Sequence, residues 1–180
     1  MNEATRCGSV AIVGAPNAGK STLVNALVGQ KVAIVSAKVQ TTRTRLIGIA
    51  VQGPAQLLLI DTPGIFAPRR RLDRAMVKAA WEGAEGADLI AFVVDAKTGL
   101  RGEADAILDA LASRREPKLL VLNKVDITAK DKLLHLAKIA SERAEFRDIF
   151  FISASTGDGV PALKSALAAA MPEGPWHFPE

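Results

Sequence analysis

The fold of this chain is decided around Gly14–Ser21, the stretch GAPNAGKS. A short apolar run, GSVAIVG at 8–14, leads into it and indicates a buried strand. A helical pattern, STLVNAL from Ser21, follows directly. Between a strand and a helix, the spacing GxxxxGK followed by Ser or Thr is typical of a loop whose backbone N–H groups converge on phosphate oxygens. The alternative, an ordinary glycine-rich turn, would need neither the lysine nor the hydroxyl.

Short β-rich runs alternate with helical patterns along the rest of the chain. Strands are predicted near 8–14, 44–53, 56–61, 88–95, 118–123 and 147–152, and helices near 20–29, 70–83, 102–114, 129–145 and 160–170. Only a turn around Gly53-Pro54 separates the second strand from the third, so that pair is predicted to be an antiparallel hairpin. Most of the other strands are continuous apolar runs, which indicates helices on both faces of a parallel sheet. We predict an α/β fold: a three-layer P-loop NTPase sandwich with a mostly parallel six-stranded sheet and one antiparallel hairpin strand.

The bulk properties favour one domain in a reducing compartment. The 180 residues are 49% hydrophobic, enough for a single sizeable core. The lone Cys7 excludes an internal disulfide. No apolar run approaches the roughly 20 residues that a membrane span needs. We therefore predict a cytoplasmic protein, with peripheral contact at the inner membrane left open. A monomer is a separate prediction that does not follow from these properties. The net charge of +4 fits an ordinary basic protein, and a nucleic-acid partner is the alternative.

The phosphate loop assigns roles to particular side chains. Lys20 can reach the β- and γ-phosphates of a nucleotide, and the Ser21 hydroxyl can bind Mg²⁺. The predicted nucleotide-binding residues of this loop are Gly14, Ala15, Pro16, Asn17, Ala18, Gly19, Lys20, Ser21 and Thr22.

A second motif, NKVD at 123–126, reads the base. It follows a buried strand, at the edge where open α/β sheets bind ligands. An ionised Asp126 can accept hydrogen bonds from guanine N1–H and the 2-amino group, a donor pair that adenine lacks. The predicted base-binding residues are Asn123, Lys124 and Asp126, with Ser153, Ala154 and Ser155 after the last strand. The Ala154 N–H is expected to meet guanine O6.

The stretch DTPGIF at 61–66 suits a γ-phosphate and magnesium site. Asp61 is placed to hold Mg²⁺, and the Gly64 backbone can approach the γ-phosphate closely because it lacks a side chain. Thr62 and Pro63 complete this segment of the predicted site. Thr42, in the long segment 30–43, is favoured as a further Mg²⁺ ligand over the alternative, Thr41. A loop held only through phosphate and Mg²⁺ would loosen after hydrolysis, which describes a switch.

These motifs resemble the GTPase (G) domain of the Era family. The resemblance is carried by GAPNAGKST, VQTTRTRLIGI, DTPGIF, NKVD, ISAS and MPEGP, in that order along nearly the whole chain. It implies GTP and GDP as ligands, Mg²⁺ as cofactor, and action in 16S rRNA processing and small (30S) ribosomal subunit assembly. In that family a C-terminal KH domain binds the end of the rRNA. We therefore expect a GTPase domain at 1–170 and, at 171–180, a linker stub toward a KH domain that this chain lacks.

Ile65 stands where many GTPases carry a glutamine that positions the attacking water. Relatives with an apolar residue here hydrolyse GTP slowly, and Asn17 matches those that use potassium. Asn17 could hold K⁺ against the phosphates, although it could equally serve only to stabilise the loop. The predicted catalytic residues are Asn17, Lys20, Thr42 and Gly64. Two alternatives stay open: a GTP-binding assembly module with negligible hydrolysis, and another P-loop phosphotransferase.

Overall fold

A computed structural model of the chain describes residues 4–15, 18–28, 45–61 and 87–176. The strands are β1 (Arg6–Val13), β2 (Arg45–Gln52), β3 (Ala55–Asp61), β4 (Leu89–Asp95), β5 (Lys118–Asn123) and β6 (Asp148–Phe151). The helices within these ranges are α1 (Lys20–Val28), α2 (Glu103–Leu111), α3 (Lys130–Arg143) and α4 (Val160–Ala169). A 3₁₀ turn over Val125–Ile127, which the sequence patterns did not predict, follows β5. The predicted helix near 70–83 and the segment 30–43 lie outside the described residues.

The strands form one six-stranded sheet in the order β2-β3-β1-β4-β5-β6. The pair β2 and β3 is antiparallel, and every other neighbouring pair is parallel. The turn between β2 and β3 contains Gly53 with φ of 57°, a conformation that favours glycine. The predicted mostly parallel sheet with one antiparallel hairpin is confirmed.

Two apolar cores lie on opposite faces of the sheet. Successive residues of a strand point to opposite faces, so Val10 joins one core and Ala11 the other. The first core includes Leu23 of α1 and Leu163 of α4, whereas the second includes Ile107 of α2. Because β1, β4 and β5 are buried on both faces, their sequences are nearly continuous apolar runs. The predicted three-layer arrangement is confirmed.

The parallel strands bring the motif residues to a single edge of the sheet. The central strand β1 has β3 on one side and β4 on the other. The strands before β4 in sequence lie on one side of β1, and those from β4 onward lie on the other side. Ligands bind at this kind of switch point, beyond the carboxyl ends of the strands. In register, Ile12 pairs with Asp61, and Asp95 pairs with Asn123. The strand end that carries Asp61 therefore lies beside the loop that follows β1, and the strand end that carries Asn123 lies on the other side of that loop, beyond β4.

Residues 171–176 pack against the opposite edge of the sheet. The Thr5 hydroxyl donates to the Gly174 carbonyl (2.8 Å), and the Gly174 N–H donates to the Thr5 carbonyl (2.9 Å). The Trp176 indole N–H donates to the Pro54 carbonyl at the hairpin turn (2.9 Å). The predicted division into a domain at 1–170 and a linker stub at 171–180 stays a prediction, but five residues of that stub contact the domain: Met171, Pro172, Glu173, Gly174 and Trp176.

Candidate nucleotide site

The loop after β1 is built around two glycines that no other residue could replace without strain. A Cβ on Gly14 would lie 2.6 Å from the Val93 carbonyl oxygen, so a side chain has no room there. Gly19 has φ of 101°, which residues with side chains rarely adopt. The Ala18 N–H donates to the Ala15 carbonyl (3.1 Å) and closes the turn between them. Pro16 and Asn17 lie outside the described residues.

The first turn of α1 follows the phosphate loop directly and leaves backbone N–H groups without helical acceptors. The first helical hydrogen bond runs from the Leu23 N–H to the Gly19 carbonyl (2.9 Å). The preceding N–H groups, those of Lys20, Ser21 and Thr22, therefore have no acceptor within the helix. The helix dipole adds positive potential at the same end. This arrangement suits an anion such as phosphate. Ser21 and Thr22 are exposed in this turn and Lys20 is half-buried, so their side chains are accessible to a ligand.

Asn123 connects three parts of the site. Its side chain is buried, with 3% of the residue exposed. The side-chain Nδ2 donates to the Ala18 carbonyl of the phosphate loop (2.9 Å), and its Oδ1 accepts from the Ala154 N–H (2.9 Å). A Cβ on Gly19 would collide with the same Nδ2. Asn123 thus holds the phosphate loop against the loop that follows β6.

The loop after β6 differs in one respect from the sequence-based expectation. The Ala154 N–H, expected to face guanine O6, donates to Asn123 instead. To bind here, guanine O6 would have to share the Ala154 N–H with Asn123 Oδ1 or replace Asn123 Oδ1 as its acceptor. Ser153 is fully buried; its hydroxyl lies 3.3 Å from that of Ser155 and accepts from the Thr156 N–H (3.3 Å). Ser153 therefore shapes the loop, while Ser155 is exposed at its surface.

The turn after β5 places Lys124 and Asp126 differently. Lys124 has a left-handed backbone (φ 73°), and its Nζ forms an ion pair with Oδ2 of Asp95 (2.9 Å). Asp126 lies exposed in the 3₁₀ turn. No hydrogen bond or ion pair joins its carboxylate to another residue within the described ranges, so it is available to a base.

Asp95 also lies at this edge of the sheet, although no motif in the sequence predicted it as a site residue. Burial alone would raise the pKa of Asp95, but the hydrogen bonds from Lys124 and Thr98, together with the positive charge of Lys124, lower that pKa. The side chain is therefore ionised at neutral pH. Its position at the end of the predicted strand 88–95, at the same edge as NKVD, is the sequence signal that could have revealed it.

The expected magnesium ligands are only partly within the described residues. Ser21 is exposed in the first turn of α1, and the backbone of Asp61 ends the strand beside β1. Thr41, Thr42, Thr62, Pro63 and Gly64 lie outside the described residues. In the ranges that the structure describes, no three His, Cys, Asp or Glu residues cluster closely enough to hold a metal ion.

Comparison with known proteins decides the family. Residues 9–124 match the family model described as 50S ribosome-binding GTPase. The chain belongs to this GTPase family. The matched range begins in β1 and ends within NKVD, so it contains the phosphate loop and the DTPG stretch.

Several relatives confirm the resemblance to Era. The chain is 61% identical over 180 residues to GTPase Era of Erythrobacter litoralis, covering 98% of this chain and 59% of that protein. It is similar to the crystal structure of an Aquifex aeolicus Era variant bound to GDP·AlF₄⁻, with a TM-score of 0.76 and 38% identity, covering 97% of this chain and 60% of that one. It is also similar to Era in complex with MgGDPNP and nucleotides 1506–1542 of 16S ribosomal RNA, with a TM-score of 0.77 and 38% identity, over the same shares of the two chains.

The chain spans about three fifths of the length of these relatives. In the part of the chain that the structure describes, no helix is both long and apolar enough to cross a membrane.

Proposed function

We propose that this chain is a GTP-binding and GTP-hydrolysing switch. One observation carries the proposal: the buried amide of Asn123 bonds both to Ala18 of the phosphate loop and to Ala154 of the loop after β6. A nucleotide bound across this edge would meet a phosphate cradle and a base-recognition loop held at a fixed separation. Preorganisation of this kind lowers the entropy cost of binding.

Different groups of this chain bind different parts of GTP. The free N–H groups at the start of α1 and the Lys20 ammonium bind the β- and γ-phosphates. The hydroxyl of Ser21, with Asp61 and Thr42, would hold Mg²⁺, because hard oxygen donors are what this ion prefers. When bound, the ion offsets the charge that develops on the phosphate oxygens. Gly64 is proposed to donate its N–H to the γ-phosphate, which would link residues 64–74 to the state of the nucleotide.

The Asp126 carboxylate is proposed to select guanine. It is exposed without a base, and a bound purine would remove it from water. Guanine replaces the lost water with two N–H donors, whereas adenine would leave the carboxylate unpaired. Sites that discriminate in this way reject the wrong partner by about 10⁴–10⁵.

Hydrolysis at this site is proposed to depend on positioning and charge. Ile65 cannot orient a water molecule, so the acceleration must come from groups that stabilise developing negative charge. Asn17 is proposed to hold a potassium ion for this purpose, together with Lys20.

The larger role is proposed from the relatives. One similar structure is of Era with a segment of 16S ribosomal RNA. We propose that the protein containing this domain acts in 16S rRNA processing and 30S subunit assembly. A cytoplasmic location, a monomeric state and peripheral membrane contact remain predictions from sequence.

One alternative has a specific observation in its favour. Ile65 in place of a water-positioning side chain is compatible with a module that binds GTP and barely hydrolyses it.

Calorimetry with Mg²⁺ and either GTP or ATP, followed by phosphate release from each, tests the proposal. Preferential GTP binding with slow phosphate release is the expected result. Binding without release would favour the assembly module, and equal binding of GTP and ATP would contradict the base-reading role of Asp126.

A further inference from the structure

Asp95 lies beside the end of the strand that carries NKVD. It is the last residue of β4, and in the parallel register it pairs with Asn123, the last residue of β5. The next N–H along the chain, that of Ala96, donates to the Asn123 carbonyl (3.0 Å). The backbones of the two strand ends are therefore fixed relative to each other before any side chain is considered.

The Asp95 carboxylate is held by bonds from its own turn. Its Oδ1 accepts from the N–H groups of Lys97 (2.9 Å) and Thr98 (3.2 Å). Its Oδ2 accepts from the Thr98 hydroxyl (3.1 Å) and from the Lys124 ammonium (2.9 Å). The side chain is only 17% exposed. Because three local bonds orient it, the carboxylate offers Lys124 an acceptor at a fixed position.

Lys124 begins the turn that carries Asp126. Among the described residues it is the one non-glycine residue with a positive φ, a conformation that is unfavourable for a side-chain-bearing residue. Such a conformation persists where its surroundings hold it. The Lys124 carbonyl accepts from the Thr128 hydroxyl (2.7 Å), and its ammonium is held by Asp95. Lys124 is therefore held at its backbone carbonyl and at its side-chain ammonium.

We propose that Asp95 is a positioning residue for the guanine nucleotide. By holding Lys124 in its left-handed conformation, it fixes the place of Asp126 two residues later, where the base is recognised. The inference rests on the proposed function, because it assigns Asp95 a part in the same site. The proposal gives Asp95 no contact with a phosphate. Its substitution should therefore change nucleotide affinity and not the rate of the chemical step.

A double-mutant cycle tests the proposal. Asp95→Asn keeps the shape of the side chain but removes the charge that holds Lys124. We expect GDP affinity to fall roughly tenfold, the scale of losing a charge-assisted hydrogen bond at a partly exposed pair. The loss should lie in faster dissociation, with kcat for GTP unchanged at saturation. In a Lys124→Met background, Asp95→Asn should change affinity by less than about twofold, because its partner is already absent.

Thr98→Val is the matched control, since it removes another bond to the same Oδ2, while the two N–H bonds to Oδ1 still orient the carboxylate toward Lys124. Its GDP affinity should stay within about twofold of the unmodified chain. A tenfold loss in Thr98→Val, or additive effects in the cycle, would overturn the proposal. Asp95→Asn binding as tightly as the unmodified chain would also overturn it.

A variant that fails to fold and a chain that binds no nucleotide can each be distinguished from failure of the proposal. If thermal melting shows that Asp95→Asn does not fold, Asp95→Glu replaces it; retained affinity within about threefold is expected, and a tenfold loss in that folded variant would overturn the proposal. If the unmodified chain binds no guanine nucleotide, the proposed function itself fails, and Asp95 has no site to position.

Discussion

The side-chain amide of Asn123 donates a 2.9 Å hydrogen bond to the carbonyl of Ala18, across 105 positions of sequence. One residue lies at the end of β5 and the other in the phosphate loop. A small side chain that is buried and bonded at both its oxygen and its nitrogen cannot be removed without leaving polar groups unpaired. The site therefore depends on Asn123 even before a nucleotide is considered.

Asn123→Ala should weaken both the fold and nucleotide binding. It leaves the Ala18 carbonyl and the Ala154 N–H without their present partner. We expect the free energy of unfolding to fall by about 2–3 kcal/mol and GDP affinity to fall by roughly two orders of magnitude. Urea unfolding and calorimetry measure the two effects. Asn25→Ala, at an exposed position of α1, is the control and should leave both quantities nearly unchanged.

Asp126→Asn should shift base preference from guanine to xanthine. The amide of Asn opposes the 2-amino group of guanine, but it can donate to the C2 carbonyl of xanthine. We expect GTP affinity to drop and XTP affinity to rise, as measured by competition against a fluorescent nucleotide. Asp131→Asn makes the same charge change at an exposed position of α3 and should keep the guanine preference. Unchanged GTP affinity in Asp126→Asn would contradict the base-reading role.

Potassium should stimulate GTP turnover more than sodium does. The proposed reason is that Asn17 holds K⁺ where it offsets negative charge in the transition state. Phosphate release at equal ionic strength in the two chlorides measures the difference. Asn17→Ala should abolish the difference in turnover between the two salts. Equal rates in both salts would remove Asn17 from this role.

The Asp95–Lys124 ion pair should contribute to stability in a pH-dependent way. The pKa of Asp95 is lowered below its ordinary value of 3.8 in the folded chain. Its contribution is therefore fully present above that value and is lost as pH falls through the folded pKa. We expect the difference in unfolding free energy between the unmodified chain and Asp95→Asn to be constant near pH 7 and to shrink below pH 3.8. Urea unfolding of both proteins across this range measures it, and a difference that grows with acidity would contradict the assignment.

Trp176→Phe should loosen the packed segment 171–176. The substitution keeps an aromatic ring but removes the indole N–H that bonds the Pro54 carbonyl. We expect a loss of about 1 kcal/mol or less in unfolding free energy, together with faster amide exchange at Gly174. Pro54 retains the Arg6 N–H as a partner, which limits the cost. Glu173→Gln affects only a long, exposed ion pair with Arg6 and should have a smaller effect. Equal exchange at Gly174 in all three proteins would argue against an anchoring role for Trp176.

Much of the architecture could be predicted, because strands and turns are specified by patterns of neighbouring residues. Strand β5 was predicted at 118–123 and is observed at those residues, because its apolar run is buried along its whole length. The hairpin between β2 and β3 followed from the two residues of its turn. Helix ends were less well predicted: α2 ends at Leu111, whereas the pattern extended to residue 114.

Within the site, the residue types were predictable and their partners were not. NKVD indicated a base-binding role, but nothing in those four letters shows that the Asn123 amide occupies the Ala154 N–H. Asp95 lies at the end of a predicted strand, but it belongs to none of the contiguous motifs that marked the site. Its relevance arises from the β4–β5 register, which sets it beside Asn123 and within reach of Lys124.

The sequence by itself determined the order of the elements, the glycine positions of the phosphate loop and the family. Those features depend on periodicity, on backbone conformations that need glycine, and on motifs of contiguous residues. Only the tertiary structure decided which distant groups share a hydrogen bond, as Asn123 does with Ala18 and Ala154, and as Asp95 does with Lys124. The physical reason is that a hydrogen bond forms within about 3 Å, and separation along the chain says nothing about distances of that size until the strands have paired in register.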